Sequence, residues 1–336
     1  MWIWNKHKQV ERKVKNYLAM EKFPIIEGYD FEKKFDFKEF MEKYLHMGFQ
    51  GSHFGMAISI LEEMLKQREK GCKIFMSFTA NMISSGNRDI IAYLVKHKVI
   101  SGITTTGGAI EEDVMKCIKP FHLGSFEVKG KLLMDECIGR IGNIFVPYDR
   151  YYFFERFMYE VFEDIDKKNL CTHEITRKIG LQVAEDENTK KNKEKSFLYW
   201  AAKNNIPVFC PGIMDGTTGD IAVFFKRTHP KFTIDTVKDH SVITKIMMNT
   251  PLAGSIVLGG GIAKHYLMNS AIFRDGFDYS VYITTATEFD GSDSGGNQEE
   301  AITWAKIKPN AKRVKIVADA TLMFPLLIAA VHEEIS

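Results

Sequence analysis

Residues 254–265 read GSIVLGGGIAKH, a short apolar run, three glycines, and a pattern that continues as a helix. An apolar run of that length closed by a glycine turn reads as a buried strand. Glycines at such a turn let a ligand approach the backbone, and the free N–H groups of the helix start can hold phosphate. Five further segments share the character of the first: KIFMSFT (73–79), ISGITTT (100–106), IPVFCPG (206–212), YSVYITT (279–285) and VKIVADA (314–320). Most lead into a polar or glycine-rich turn and then a helical pattern. This alternation predicts parallel strands joined by crossover helices, an α/β layered sheet.

Around these segments the chain is ordinary. Its 336 residues can bury a sizeable core. A helical stretch over 150–183 reads as an insertion between the second and third strands, and the charge run AEDENTKKNKEK (184–195) as a solvated loop. Val10, Val14 and Leu18 recur at a spacing of four, which predicts a basic amphipathic helix over 1–25 ahead of a single catalytic domain over 26–336. A formal charge of +2 gives no electrostatic case for nucleic acid or membrane partners. The apolar runs fall short of the roughly 20 residues that a membrane span needs, and the N-terminus lacks the apolar core of a signal peptide. The cysteines are scattered and odd in number, without a CxxC pair. They read as reduced thiols in a cytoplasmic protein, with no metal site expected.

In open α/β sheets ligands bind beyond the carboxyl ends of the strands. Here those ends read ANMISSGNRD (80–89), TGGAIEED (106–113), PGIMDGTTGD (211–220), GGGIAKH (259–265), TATEFDGSDSGG (285–296) and DATLMFP (319–325). Glycines and capping residues are expected at strand–helix turns for structural reasons alone. Caps do not, however, require acidic groups to recur along one edge of a sheet. GGGIAKH lacks the GxGxxG spacing and is a weak dinucleotide signal by itself. With SSGNRD, TGGAIEED, and Asp319 placed to meet a ribose hydroxyl, it points to an NAD-type cofactor.

Residues 289–307, FDGSDSGGNQEEAITWAKI, carry the second signal. Asn297 and Glu300 have the spacing of a capping box, which predicts a helix from Gln298 to about Lys308, stopped by Pro309. On such a helix Ile302 and Lys306 share a face, with Trp304 and Ala305 alongside. A lysine held in apolar surroundings is a nucleophile able to form a Schiff base. A surface lysine lying along Trp304 is the alternative. The loop FDGSDSGG has its own plain reading as a turn or calcium loop, although its oxygen ligands do not alternate regularly. Asp290, Asp293 and Glu300 near an apolar lysine suit an elongated polyamine.

At these residues the chain resembles the deoxyhypusine synthase family. FDGSDSGG, EEAITWAKI and VKIVADATLMFPLL are similar to the family's C-terminal block. Upstream, GFQGSHFG, ANMISSGNRD, TTTGGAIEED, GRIGNIFVPYDRYYFFE, PVFCPGIMDGTTGD and GGGIAKHY follow in the family's order, so that the resemblance spans about residues 26–330. It implies a Rossmann-like, doubly wound, mostly parallel sheet with flanking helices and a helical insertion, in a homotetramer with active sites between subunits. It also implies NAD-dependent transfer of the aminobutyl group of spermidine, through an imine on a lysine, to one lysine of the translation factor 5A precursor. That reaction is the first step of hypusine formation.

By the same resemblance Lys306 is the catalytic lysine, and His265 the base that deprotonates the reacting amine. NAD contacts fall on Asn81, Ser84, Thr106, Gly107, Gly108, Glu112, Asp215, Gly260, Thr285, Ala286, Asp319 and Ala320. Spermidine contacts fall on Glu111, Glu112, Asp220, His265, Gly291, Ser292, Asp293, Ser294, Glu300, Trp304 and Lys306. The chain departs from the family's usual pattern in WAK for WGK, TTTGGAIEED for TTAGGVEED, and GGN for GAR. Two other functions share these loops. One is a homospermidine synthase with putrescine as acceptor, the other a non-catalytic NAD-binding subunit that regulates an active partner.

Overall fold

The computed structural model describes residues 23–166 and 168–335. The helix expected over 1–25 lies, but for its last three residues, outside them. Two compact units divide at Met56. In the first, Tyr29 gathers Phe31, Phe35 and Phe40 edge-on at ring distances of 5.1, 5.7 and 5.7 Å. Its hydroxyl accepts a hydrogen bond from the Asp36 amide at 2.8 Å, and Asp36 caps the helix Phe37–Glu42.

Among the described residues of the second unit, from Ala57 onward, nine strands form two sheets. They are β1 (Cys72–Phe78), β2 (Gly102–Thr104), β3 (His122–Leu123), β4 (Ile138–Ile141), β5 (Ile144–Pro147), β6 (Val208–Phe209), β7 (Leu252–Leu258), β8 (Phe277–Thr284) and β9 (Ile307–Val317). The larger sheet has six strands in the order β6-β2-β1-β7-β8-β9. Every pair in it is parallel, and each member overlaps one of the six apolar segments read from the sequence, although β9 starts at Ile307, seven residues ahead of its segment. The central pair, β1 and β7, is in register over its whole length, from Cys72 against Leu252 to Phe78 against Leu258. Burial on both faces explains the unbroken apolar runs: Phe75, Val257, Tyr282 and Ile307 pack on one face with Met247, Leu267 and Met268 from neighbouring helices. Among the described residues, no helix is long and apolar enough to cross a membrane.

Three features differ from the sequence reading. The helical insertion is two helices, Asp149–Ile165 and Thr172–Glu185. The first ends where Asp166 turns to ψ 137°, and Asn169 then takes a positive φ of 47°. Ahead of them lies an antiparallel sheet of three short strands, ordered β3-β5-β4, that the sequence reading lacks. Its β4–β5 hairpin turns at Gly142, with φ 59°, and Asn143. The charge run at 184–195 is not simply a solvated loop. It contains a 3-10 turn, Lys190–Lys195, Thr189 is fully buried, and the Asn192 side-chain Nδ2 donates to the Cys117 carbonyl at 2.9 Å.

One buried ion pair ties three helices together. Arg88 and Asp113 are 2% and 0% exposed. The Arg88 Nε donates to Asp113 Oδ1 at 2.7 Å, and Asp113 Oδ2 also accepts from the Ser196 hydroxyl at 2.6 Å and the Leu198 amide at 3.2 Å. Removing one partner of such a pair strands a buried charge. Asp113→Ala is expected to cost about 3–5 kcal/mol in chemical unfolding. Combined with Arg88→Met it should cost clearly less than the two single losses added together, and strictly additive losses would rule out the coupling.

Candidate active site

The order of the strands reverses at the centre of the sheet. From β1 the chain moves through β2 to β6 on one side, and from β7 through β8 to β9 on the other. At such a switch point the loops leaving two neighbouring strands diverge and open a crevice at their carboxyl ends. Every site residue expected from the sequence lies on a segment that follows one of these six strands.

After β1, Asn81 opens and Ser84 closes a single helical turn, Asn81–Ser84. After β2, Thr106 stands at the start of the helix Gly107–Ile118, which carries Glu111 and Glu112. Gly107 is pressed against Asp215 from the loop after β6, where a Cβ would lie 2.8 Å from Asp215 Oδ1. A Cβ on Gly108 would meet that of Ala80 at 3.0 Å. Glu111 receives the Thr218 amide at 2.7 Å, yet burial raises its pKa, and Asp215 adds to the rise. Burial pushes the neighbouring Glu112 up to about 7, against the opposing pull of the Ser84 hydroxyl. The Glu112 Oε2 is buried without a hydrogen-bond partner. Asp220 is exposed on the helix Thr217–Thr228.

The β7–β9 half is built around the acidic loop. Gly260 precedes the helix Gly261–Ser270, and Gly261 takes a positive φ of 64°. The Gly261 amide donates to Ser294 Oγ at 3.0 Å, and a Cβ on Gly260 would lie 2.3 Å from that oxygen. His265, on the same helix, shares its Nδ1 with Asp293 Oδ1 at 2.8 Å, while Asp293 Oδ2 is buried and unpartnered. Gly291 adopts φ 71°, and the Ser292 amide donates to Asp290 Oδ1 at 2.8 Å. Thr285 and Ala286 follow β8, with the Ala286 amide on Thr284 Oγ1 at 3.2 Å. After β9 the Asp319 Oδ1 caps the helix Ala320–Ala330, accepting from the Thr321 amide at 2.7 Å.

Lys306 is delivered differently from the sequence reading. The helix that Asn297 caps, through Oδ1 to the Glu300 amide at 2.9 Å, runs only from Gln298 to Thr303. Ala305 then takes a left-handed φ of 53°. Its amide donates to Ile302 O, and that of Lys306 to Ala301 O, both at 2.9 Å. These paired bonds are a Schellman turn, whose left-handed position ordinarily falls to glycine. Lys306 therefore sits between this turn and β9, outside the helix, and does not share a helical face with Ile302. Trp304, at the helix end, is 63% exposed.

Lys306, Asp293, Glu300 and Trp304 nevertheless line one small cleft, of about 30 Å³. Glu111, Glu112, Asp215 and Asp220 do not line it. The cleft also holds Lys264, which the sequence reading passed over although it adjoins His265 in GGGIAKH. Buried at 5% exposure, Lys264 donates to the carbonyls of Asp293 and, at 3.1 Å, Gly296. Burial lowers its pKa, and nearby Lys315 and Lys306 lower it further against the pull of Asp293. Lys315 holds the same loop at the Gly295 carbonyl, 2.6 Å away.

The comparisons with known proteins agree with this architecture. The family model for deoxyhypusine synthase matches residues 39–331. A Methanocaldococcus jannaschii protein named "Probable deoxyhypusine synthase" is 47% identical over 317 residues, 91% of this chain and 96% of that protein. The deoxyhypusine synthase of Senecio vernalis is 40% identical over 90% of this chain and 88% of its own length. Among solved structures, a deoxyhypusine synthase candidate from Entamoeba histolytica aligns with a TM-score of 0.61 at 29% identity, covering 91% of this chain and 96% of that one. With a family model spanning most of its length and relatives this similar over nearly all of it, the chain belongs to the deoxyhypusine synthase family.

Proposed function

We propose that this chain transfers the aminobutyl group of spermidine, through an imine on Lys306, to a lysine of the translation factor 5A precursor in an NAD-dependent reaction. The observation that carries the reading is the cleft that Lys306 lines together with Asp293 and Glu300. The unpartnered Asp293 Oδ2 is a ready acceptor for one ammonium of a polyamine. Trp304 offers its ring to the methylenes and to cation–π contact. With Nδ1 engaged by Asp293, His265 keeps Nε2 for the proton of the reacting amine. Lys306, once unprotonated, attacks the oxidised carbon; diaminopropane leaves, and the aminobutyl group stays on Lys306 as an imine until the acceptor lysine takes it.

The residues of the crevice fit NAD. Glu112 presents an unpaired buried oxygen, and Gly107, Gly108 and Gly260 leave no room for side chains where a ligand would meet backbone. In this reading Asn81, Ser84, Thr106, Asp215, Thr285, Ala286, Asp319 and Ala320 complete its contacts. NAD supplies the oxidation of spermidine and the final reduction by accepting and returning a hydride. Exposed apolar side chains beside the crevice, Met214, Ile262, Phe289 and Trp304, suit cover by a second copy and a homotetramer with sites between subunits. The five cysteines are all free thiols, in keeping with a cytoplasmic setting.

With NAD and labelled spermidine, borohydride trapping should place the label on Lys306, read by mass spectrometry. Label transferred to putrescine and never to factor 5A precursor would make the chain a homospermidine synthase, and a protein that takes up no label would not be this transferase. Lys306→Ala should reduce transfer by several orders of magnitude while NAD still binds. Lys306→Arg should fail as well, because guanidinium stays charged.

Glu112 generates a pH prediction. Its folded pKa, about 7, lies above the ordinary carboxyl value, so the folded state favours the protonated form. That contribution is full below about pH 4.5 and is lost as pH rises through 7. Glu112→Gln, which cannot ionise, should therefore be more stable than the wild type at pH 8 by up to about 3 kcal/mol. The gap should close toward pH 5 in parallel thermal melts, while NAD binding weakens. A pH-independent gap would contradict the assignment.

A further inference from the structure

The helix Gly107–Ile118 does more than present Glu111 and Glu112. One helical turn beyond Glu112, the Lys116 ammonium donates to three consecutive backbone carbonyls, those of Ile83 at 2.8 Å, Ser84 at 3.1 Å and Ser85 at 2.9 Å. These belong to the turn Asn81–Ser84 and the residue after it, the segment that leaves β1 at the switch point. We infer that Lys116 is a positioning residue, whose ammonium gathers these carbonyls and so sets the turn that offers Asn81 and Ser84 to the cofactor. The inference rests on the reading that this turn holds NAD.

Several features make the ammonium suited to the task. A four-residue helix makes few internal hydrogen bonds, and the carbonyls at its end need donors from elsewhere. An ammonium has three N–H groups and meets three acceptors here, which a neutral amine, with two, cannot do. Charge-assisted bonds to carbonyls are about twice as strong as neutral ones. The carbonyls it draws together include that of Ser84, whose side chain faces Glu112. Lys116 therefore holds by its carbonyls the same turn that Glu112 meets at the Ser84 side chain.

The charged groups facing Lys116 are Arg88 and Asp89 from the helix Asn87–Lys96, and Glu112 and Asp113 from its own helix. The Phe121 ring lies 5.8 Å from its Nζ. Burial first, and then Arg88, lower its pKa to about 8, against the pull of the three carboxylates. The third donor is thus lost just above neutral pH. Glu112 is pushed up to about 7, one unit lower, so the part of a pH profile due to Lys116 is the part that Lys116→Arg removes.

The test compares the wild type with Lys116→Met and Lys116→Arg. In the absence of cofactor, hydrogen exchange of amides 82–87 should quicken in Lys116→Met while amides of β1 and β7 keep their protection. NAD titrated calorimetrically should bind that variant roughly ten- to a hundredfold more weakly, the worth of a lost charged hydrogen bond. Wild-type affinity should fall between pH 7.5 and 9, and Lys116→Arg, charged throughout, should not show that fall. A folded Lys116→Met with wild-type exchange at 82–87 and NAD affinity within twofold would overturn the inference. Should that variant fail to fold, an unchanged wild-type affinity between pH 7.5 and 9 would overturn it equally. If exchange quickens as expected but the wild type binds no NAD, the clamp stands and the cofactor reading fails.

Discussion

The pairing of β1 with β7 is the constraint from which the rest follows. Seven residues of each strand run side by side in parallel, so both carboxyl ends finish at the same edge. Because β2 and β6 continue on one flank and β8 and β9 on the other, the loops after the central pair part company, and the crevice between them is a geometric consequence. The two halves are chemically unlike. One buries Glu111 and Glu112 on a helix, where low polarity raises their affinity for protons. The other spreads carboxylates through a loop of glycine and serine, with two lysines beside them in the cleft.

Flexible loops of that composition do not hold a shape by packing, since they have little apolar surface to bury. Here cations supply the order. Lys264 and Lys315 reach the carbonyls of Asp293, Gly295 and Gly296, as Lys116 reaches those of Ile83, Ser84 and Ser85. Each arrangement satisfies carbonyls that no strand or helix serves, and each brings a positive charge close to a site rich in carboxylates. Gly295 shows how tightly the loop is folded, since a Cβ there would fall 1.8 Å from the Thr287 carbonyl. The same lysines lessen the mutual repulsion of the acidic groups without neutralising the rim proposed to meet the polyamine.

Much of this was legible in the sequence, because buried parallel strands leave an unmistakable apolar signature and their ends carry the polar residues. Five of the six principal strands fall within two residues of the segments picked out for them, while β9 begins at Ile307, seven residues ahead of its segment. The residues Asp293, Glu300, Trp304 and Lys306 do line a common cleft. What escaped has physical reasons. The small antiparallel sheet has strands of two to four residues, too short for alternation to show. Lys264 and Lys116 act on carbonyls, and a carbonyl has no letter in the sequence. The helix end at Thr303 was hidden because Ala305 adopts a left-handed conformation that glycine would have announced.

That hidden helix end changes how Lys306, the proposed nucleophile, is held. A lysine in mid-helix has its backbone fixed by the helix alone, and its position shifts whenever the helix slides or frays. Lys306 is fastened from both sides instead. Its amide closes the Schellman turn on Ala301, and its carbonyl accepts from the Phe277 amide at 3.0 Å, where β9 begins to pair with β8. The main chain is thus tied at once to the helix that carries Glu300 and to the sheet whose edge carries the acidic loop. Only the side chain remains free to move. In the proposed reaction, where Lys306 receives a four-carbon fragment and then gives it up, a fixed root with a flexible stem would place the amine repeatedly in the same small volume. The strain of a non-glycine residue at φ 53°, of order 1 kcal/mol, is a modest cost for that anchoring.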